Sequence, residues 1–94
     1  MADAISGNEL VIESCTPNPW EDETNVLFYL PEAGNVNYNL MDVNGKKIFS
    51  DSEFLKEGNH AYILKSKDFE ERGMLFLEIR AVGSTVVQKM VVLK

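Results

Sequence analysis

The fold is decided by the stretch Val36-Asn37-Tyr38-Asn39-Leu40-Met41-Asp42-Val43, which continues through Asn44-Gly45 into Lys46-Lys47-Ile48-Phe49. Apolar residues at 36, 38 and 40 alternate with asparagines, and this period of two predicts a strand with one buried face and one solvated face. Asn44-Gly45 predicts a two-residue type I′ turn, because both residue types tolerate positive φ angles. The sequence therefore predicts an antiparallel hairpin that forms the central pair of the molecule.

Short apolar runs on both sides of the hairpin predict further strands, and none of them has a helical period over three turns. The predicted strands cover residues 9–14, 24–30, 60–64, 74–81 and 85–93, and the predicted turns cover residues 31–34, 51–53, 56–59 and 83–84. Phe69 is expected to anchor a single helical turn within residues 66–72. About seven strands at this spacing predict an all-β fold, an immunoglobulin-like antiparallel β-sandwich. Residues 1–8 are expected to be a flexible linker ahead of a sandwich domain spanning residues 9–94.

Size and charge limit the function classes. The chain has 94 residues, enough for one domain, and its formal net charge is −6 with a pI near 4.6. Its nine basic residues are scattered along the sequence, which argues against nucleic acid as a partner. No segment approaches the roughly 20 apolar residues of a membrane span, so we expect no direct membrane insertion. Residues 1–7 lack the pattern of a signal peptide, so we expect an exported form to belong to a longer precursor or to use a different targeting signal.

Residues that could carry chemistry are few. Cys15 and His60 are the single cysteine and the single histidine, and no motif places a third catalytic group beside them. One cysteine and one histidine also make a zinc site improbable, and we expect no cofactor. Asp42 is expected to accept backbone hydrogen bonds in its turn, although a calcium ion shared with the acidic run 21–23 stays open. We therefore expect that the protein is not an enzyme.

The final run, residues 86–93, has two interpretations. It is apolar on both faces near its end, and it could be an edge strand that is offered to another protein by β-augmentation. Composition alone favours the other interpretation, the last strand of the core, with Lys89 and Lys94 as charges that discourage edge-to-edge pairing.

Several motifs appear together in a characteristic order. They are Pro17-Asn18-Pro19-Trp20, Leu30-Pro31-Glu32-Ala33-Gly34, Asp42-Val43-Asn44-Gly45-Lys46, Gly58-Asn59-His60, Gly73-Met74-Leu75-Phe76 and Lys89-Met90-Val91-Val92-Leu93-Lys94. This series, over residues 15–94, closely resembles the C-terminal sorting domain of the type IX (Por) secretion system of Bacteroidetes, in its type A form. Trp20 stands where the family more commonly has phenylalanine, and Met41 where it usually has tyrosine.

The resemblance implies a secretion signal that is itself a folded domain at the C-terminus of a cargo protein. It implies that the domain is recognised by the outer-membrane translocon and removed by a sortase-like peptidase, with cleavage in the linker 2–8. The cargo would pass through the periplasm and reach the cell surface or the medium. The residues that the resemblance assigns to translocon recognition are Asp42, Asn44, Gly45, Lys46, Gly73, Lys89, Met90, Val91, Val92, Leu93 and Lys94.

An alternative function stays open at this point. An immunoglobulin-like domain could be a non-catalytic binding module for carbohydrate or for a neighbouring domain. Trp20, Tyr29, Tyr38 and Tyr62 could then form an aromatic platform. Weak dimerisation through an edge strand is a further expectation.

Overall fold

The computed structural model describes residues 9–94, so the linker predicted at residues 1–8 lies outside the described residues. Seven strands follow one another: β1 (Val11–Thr16), β2 (Glu23–Leu30), β3 (Gly34–Met41), β4 (Lys47–Leu55), β5 (Gly58–Lys65), β6 (Gly73–Ala81) and β7 (Ser84–Val92). One turn of 3₁₀ helix, Ser66–Asp68, separates β5 from β6. Within this part of the chain, no helix has the length and apolar character that a membrane crossing requires.

The strands form two antiparallel sheets that enclose one core. One sheet has the order β1-β2-β5 and the other has the order β4-β3-β6-β7. Alternate side chains of β2, β3 and β6 point into the space between the sheets, as the period of two requires. The core residues include Trp20, Val26, Phe28, Leu30, Val36, Tyr38, Leu40, Leu64, Phe69, Leu75, Leu77, Ile79, Met90 and Val92. The predicted all-β sandwich of seven strands is confirmed.

The hairpin is confirmed, but β4 differs from the prediction in length and position. The predicted turn at residues 51–53 is wrong, because β4 continues to Leu55 as an edge strand beside β3. Asp51 and Glu53 lie on the core-facing side of β4, exposed at the edge of the sheet, where they accept hydrogen bonds from core tyrosines. Ser50 and Ser52 lie on the outer face, opposite Asn39 and Asn37. A strand that is polar on both faces has no hydrophobic period, so its sequence resembles a turn.

Two turns also differ in detail from the sequence predictions. In the loop after β3, Gly45 has φ +82° but Asn44 does not have a positive φ, so the turn is not the predicted type I′. Gly45 N–H instead bonds to Asp42 C=O, and the loop has Val43, Asn44 and Gly45 at its tip. The β6–β7 turn is formed by Val82 (φ +46°) and Gly83 (φ +80°), one residue earlier than predicted.

Strand β1 begins two residues later than predicted, and its pattern is irregular because of a bulge between Ile12 and Ser14. The bulge allows Ile12 and Cys15 both to pack against the core although they are three residues apart. Strand β7 lies at an edge of its sheet, as one of the two interpretations of the sequence required. The anchoring of the 3₁₀ turn by buried Phe69 is confirmed.

Candidate functional site

The topology brings the residues assigned to recognition to one end of the sandwich. The register aligns Met41, Phe76 and Lys89 in a row across β3, β6 and β7, and it pairs Gly73 with Val92. The turn 42–46, the start of β6 and the end of β7 therefore lie at the same end, which we call the C-terminal pole. The opposite pole holds the start of β1 and the Val82–Gly83 turn. Strand β6 runs between the poles over eight residue steps, or about 26 Å.

Asp42 organises the turn at the C-terminal pole. Its Oδ1 accepts hydrogen bonds from the backbone N–H groups of Asn44 and Lys46, both at 2.9 Å. The Asp42 N–H bonds to the Lys46 carbonyl and closes the loop. The expectation that Asp42 accepts backbone hydrogen bonds is thus confirmed. The carboxylate fixes the loop, while the side chains of Asn44 and Lys46 are exposed to solvent.

The side chain of Lys94 folds back onto the 3₁₀ turn at the same pole. Its ammonium donates hydrogen bonds to the carbonyl oxygens of Ser66 and Phe69, and it lies 4.4 Å from the centre of the Phe69 ring. Phe69 in turn makes an edge-to-face contact with Trp20, with ring centres 6.1 Å apart. Lys94 therefore fastens the end of the chain to the core as well as carrying a charge.

Side chains of the last strand divide between two environments. Met90 and Val92 are 0% and 2% exposed and belong to the core, so the recognition assigned to them cannot use their side chains in the folded domain. Lys89, Val91 and Leu93 alternate with them and face the solvent side of the sheet. Leu93 is 55% exposed. A partner that contacts the folded terminus meets this second set.

Charge is distributed unevenly between the two poles. Seven of the nine basic residues belong to segments at the C-terminal pole, namely Lys46, Lys47, Lys65, Lys67, Arg72, Lys89 and Lys94. Lys56 and Arg80 lie towards the opposite pole. These basic residues are scattered along the sequence, and they cluster only when the fold brings the strand ends together. Seven acidic residues share the pole, at positions 21, 22, 23, 42, 68, 70 and 71, so it presents both signs of charge.

The proposed aromatic platform is not formed. Trp20, Tyr38 and Tyr62 are buried, and only Tyr29 has partial solvent contact. Tyr38 and Tyr62 stack with ring centres 3.7 Å apart, and their hydroxyls donate to Glu53 and to Asp51, at 2.6 and 2.9 Å. Burial, together with these carboxylates, raises the pKa of both tyrosines well above the usual value. The aromatic residues thus stabilise the core instead of forming a binding surface.

Cys15 and His60 do not form a catalytic pair. The Cys15 thiol lies 3.4 Å from the Thr24 hydroxyl, whereas the His60 ring bonds to the Lys56 carbonyl at 2.6 Å. Strand β2 separates the two residues, because Cys15 pairs with one of its edges and His60 with the other. His60 is therefore a strand residue whose ring is hydrogen-bonded at the end of the sandwich. Among residues 9–94, no three potential ligands of the His, Cys, Asp and Glu type converge as a metal site would require.

Fold and site together define a small immunoglobulin-like sandwich whose last strand ends at a charged pole and alternates core and outward side chains there. Residues 14–93 match a protein-family model described as a secretion system C-terminal sorting domain. The chain therefore belongs to the family of type IX secretion sorting domains. No curated protein matches the chain significantly. Membership makes the domain a C-terminal sorting signal of a secreted protein, in a family of signals and not of catalysts. At this coarse level it also implies an N-terminal cargo and the type IX machinery as partners.

Proposed function

We propose that the domain is recognised by the outer-membrane translocon of the type IX system and then removed from its cargo by a sortase-like peptidase. The family match over residues 14–93 carries the general function, and the convergence of the assigned residues on one pole supports the recognition step. The accessible part of the recognition surface consists of the exposed residues Asn44, Lys46, Lys89 and Leu93 and the half-buried Val91. Asp42 and Lys94 hold this surface in shape.

The direction of β1 supports a separation of recognition from cleavage. The described chain enters β1 at Val11, which lies at the pole opposite to the recognition surface. A peptidase that cuts ahead of residue 9 would then meet the described part of the domain at the start of β1, away from the recognition surface. The translocon and the peptidase could thus hold the domain at the same time, without competing for one surface. The cargo would be carried through the periplasm and then to the cell surface or the medium.

Export of a reporter tests this proposal. A reporter with an ordinary N-terminal signal is fused ahead of residues 1–94 and produced in a host with a working type IX system. The double variant Lys46→Ala/Lys89→Ala removes two exposed charges from the recognition surface, and we expect it to reduce export of the reporter at least tenfold.

The control removes the same charge from the opposite pole. The double variant Lys56→Ala/Arg80→Ala is expected to be exported as well as the unaltered domain. Equal export of the two double variants would refute recognition at the C-terminal pole. Unfolding measurements on both variants establish that neither loses its fold, since exposed substitutions usually change stability by no more than about 0.5 kcal/mol.

A further inference from the structure

The outer edge of β7 is covered at its terminal half by a segment that is not a strand. In the antiparallel pairing of β6 with β7, the backbone N–H and C=O groups of Lys89, Val91 and Leu93 face away from β6. The Asn18 side-chain amide donates to the Lys89 carbonyl at 3.1 Å and accepts from the Val91 N–H at 3.0 Å. The backbone of Trp20 completes the series: its N–H bonds to the Val91 carbonyl, and its carbonyl accepts from the Leu93 N–H. Four consecutive outward groups of β7 are thereby satisfied.

The asparagine acts here in place of a peptide group. Pro17 and Pro19 have no N–H, so the backbone on either side of Asn18 cannot donate to a ladder. A primary amide has one N–H donor side and one C=O acceptor, as a peptide group does, and the Asn18 amide uses both against the edge of β7. The Pro-Asn-Pro-Trp motif thus forms a one-sided cap that pairs with β7 and cannot itself extend a sheet.

We propose that Asn18 is a positioning residue that seals the terminal edge of β7. The seal prevents another strand, such as that of a second copy, from adding beside Lys89–Leu93. The outward side chains of Lys89, Val91 and Leu93 are thereby held in a fixed row. A partner at this end of β7 therefore contacts the outward side chains, because it cannot add a strand to the sealed edge. The consequence for export rests on the function proposed above, whereas the seal itself does not.

The unsealed part of the edge lies further from the terminus. Thr85 and Val87 point their backbone groups outward in the same register, and no described segment pairs with them. Strand addition, including the predicted weak dimer, is therefore expected beside residues 85–87 in the unaltered protein. Removal of the Asn18 amide extends the open edge towards the C-terminus.

Amide hydrogen exchange of the full chain, followed by NMR, tests the seal directly. Asn18→Ala is expected to accelerate exchange of the Val91 N–H about tenfold or more and to leave the Thr85 N–H unchanged. Asn18→Asp keeps the acceptor but loses the donor, so Val91 should remain protected in this variant. Asn25→Ala, the same change at an exposed asparagine of β2, serves as the control.

Sedimentation of the same proteins over a range of concentrations measures strand addition between copies. Asn18→Ala should associate more strongly than both the unaltered chain and Asn25→Ala. Unchanged exchange at Val91, an equal acceleration at Thr85, or unaltered association would each overturn the proposal.

Reporter export separates the two inferences: if the unaltered domain fails to direct export, the proposed function fails while the exchange result stands. If the unaltered domain is exported, reduced export of Asn18→Ala links the seal to recognition, and unreduced export would refute that link.

Discussion

Replacement of Lys94 distinguishes an anchoring residue from one that is only displayed. In Lys94→Ala the chain loses two hydrogen bonds from an ammonium to carbonyl oxygens, and also the contact with the Phe69 ring. Hydrogen bonds from a charged donor each contribute about 1.5–3 kcal/mol to the free energy of unfolding. Ordering a lysine side chain costs about 2 kcal/mol, and exposure to solvent weakens the hydrogen bonds further. We therefore expect a loss of about 1–2 kcal/mol in the free energy of unfolding. For a domain of this size, the loss corresponds to a fall of about 5–15 °C in Tm.

Urea denaturation, followed by the fluorescence of the single tryptophan, Trp20, measures this loss. Lys94→Met keeps a similar aliphatic stem against Phe69 and should recover only a small part of the stability. Lys89→Ala removes an exposed lysine from β7, close to the chain end, and should change the free energy of unfolding by less than about 0.5 kcal/mol. If Lys94→Ala and Lys89→Ala unfold at the same urea concentration, the anchoring role of Lys94 is refuted.

Three further predictions concern stability. The Trp20 indole N–H is buried and has no hydrogen-bond partner among the described residues. Trp20→Phe should therefore lower the free energy of unfolding by less than about 1.5 kcal/mol, whereas Trp20→Ala should lower it by about 3–5 kcal/mol. Equal losses in urea denaturation would contradict this prediction. Burial raises the pKa of Tyr38 and Tyr62, so above the ordinary value of 10.0 the unfolded chain ionises first. The contribution of the two tyrosines to the free energy of unfolding is therefore complete below pH 10 and is lost above it, at up to about 1.4 kcal/mol per pH unit for each tyrosine. Tyr38→Phe should reduce this dependence of the unfolding free energy on pH. An unchanged dependence would argue against a raised pKa of Tyr38. Asp42→Ala should lower the free energy of unfolding, measured by urea denaturation, by about 1 kcal/mol. Asp42→Asn should lower it less, because asparagine keeps a side-chain oxygen that accepts from the N–H groups of Asn44 and Lys46. Identical losses would show that this oxygen does not stabilise the turn.

The elements that sequence reasoning found are those with a clear period of two or a turn residue. Strands β2, β3, β6 and β7 alternate apolar and polar positions, so their bounds were predicted to within two residues. Strand β4 was predicted too short because its inward residues Asp51 and Glu53 are charged, and they are accommodated by tyrosine hydroxyls from β3 and β5. Those partners lie 15 and 11 residues away in the sequence, beyond the reach of a local pattern.

The same limit applies to the candidate site. The recognition residues were named from the family resemblance, but their convergence on one pole depends on strand register, which the pattern of each separate strand does not fix. The pairing of Asn18 with Lys89 and Val91 spans 71 and 73 residues. The signal that could have found it is the asparagine between two prolines, since its backbone neighbours cannot donate to a sheet.

The dependence of reporter export on the translocon is the decisive test that this domain is a type IX sorting signal. The reporter, joined ahead of residues 1–94, is followed in a host with a type IX translocon and in an otherwise identical host without one. We expect the reporter to reach the cell surface or the medium, separated from the domain, only in the first host, and to stay in the periplasm of the second. Equal release from both hosts, or retention of the reporter in the periplasm of both, would contradict this expectation.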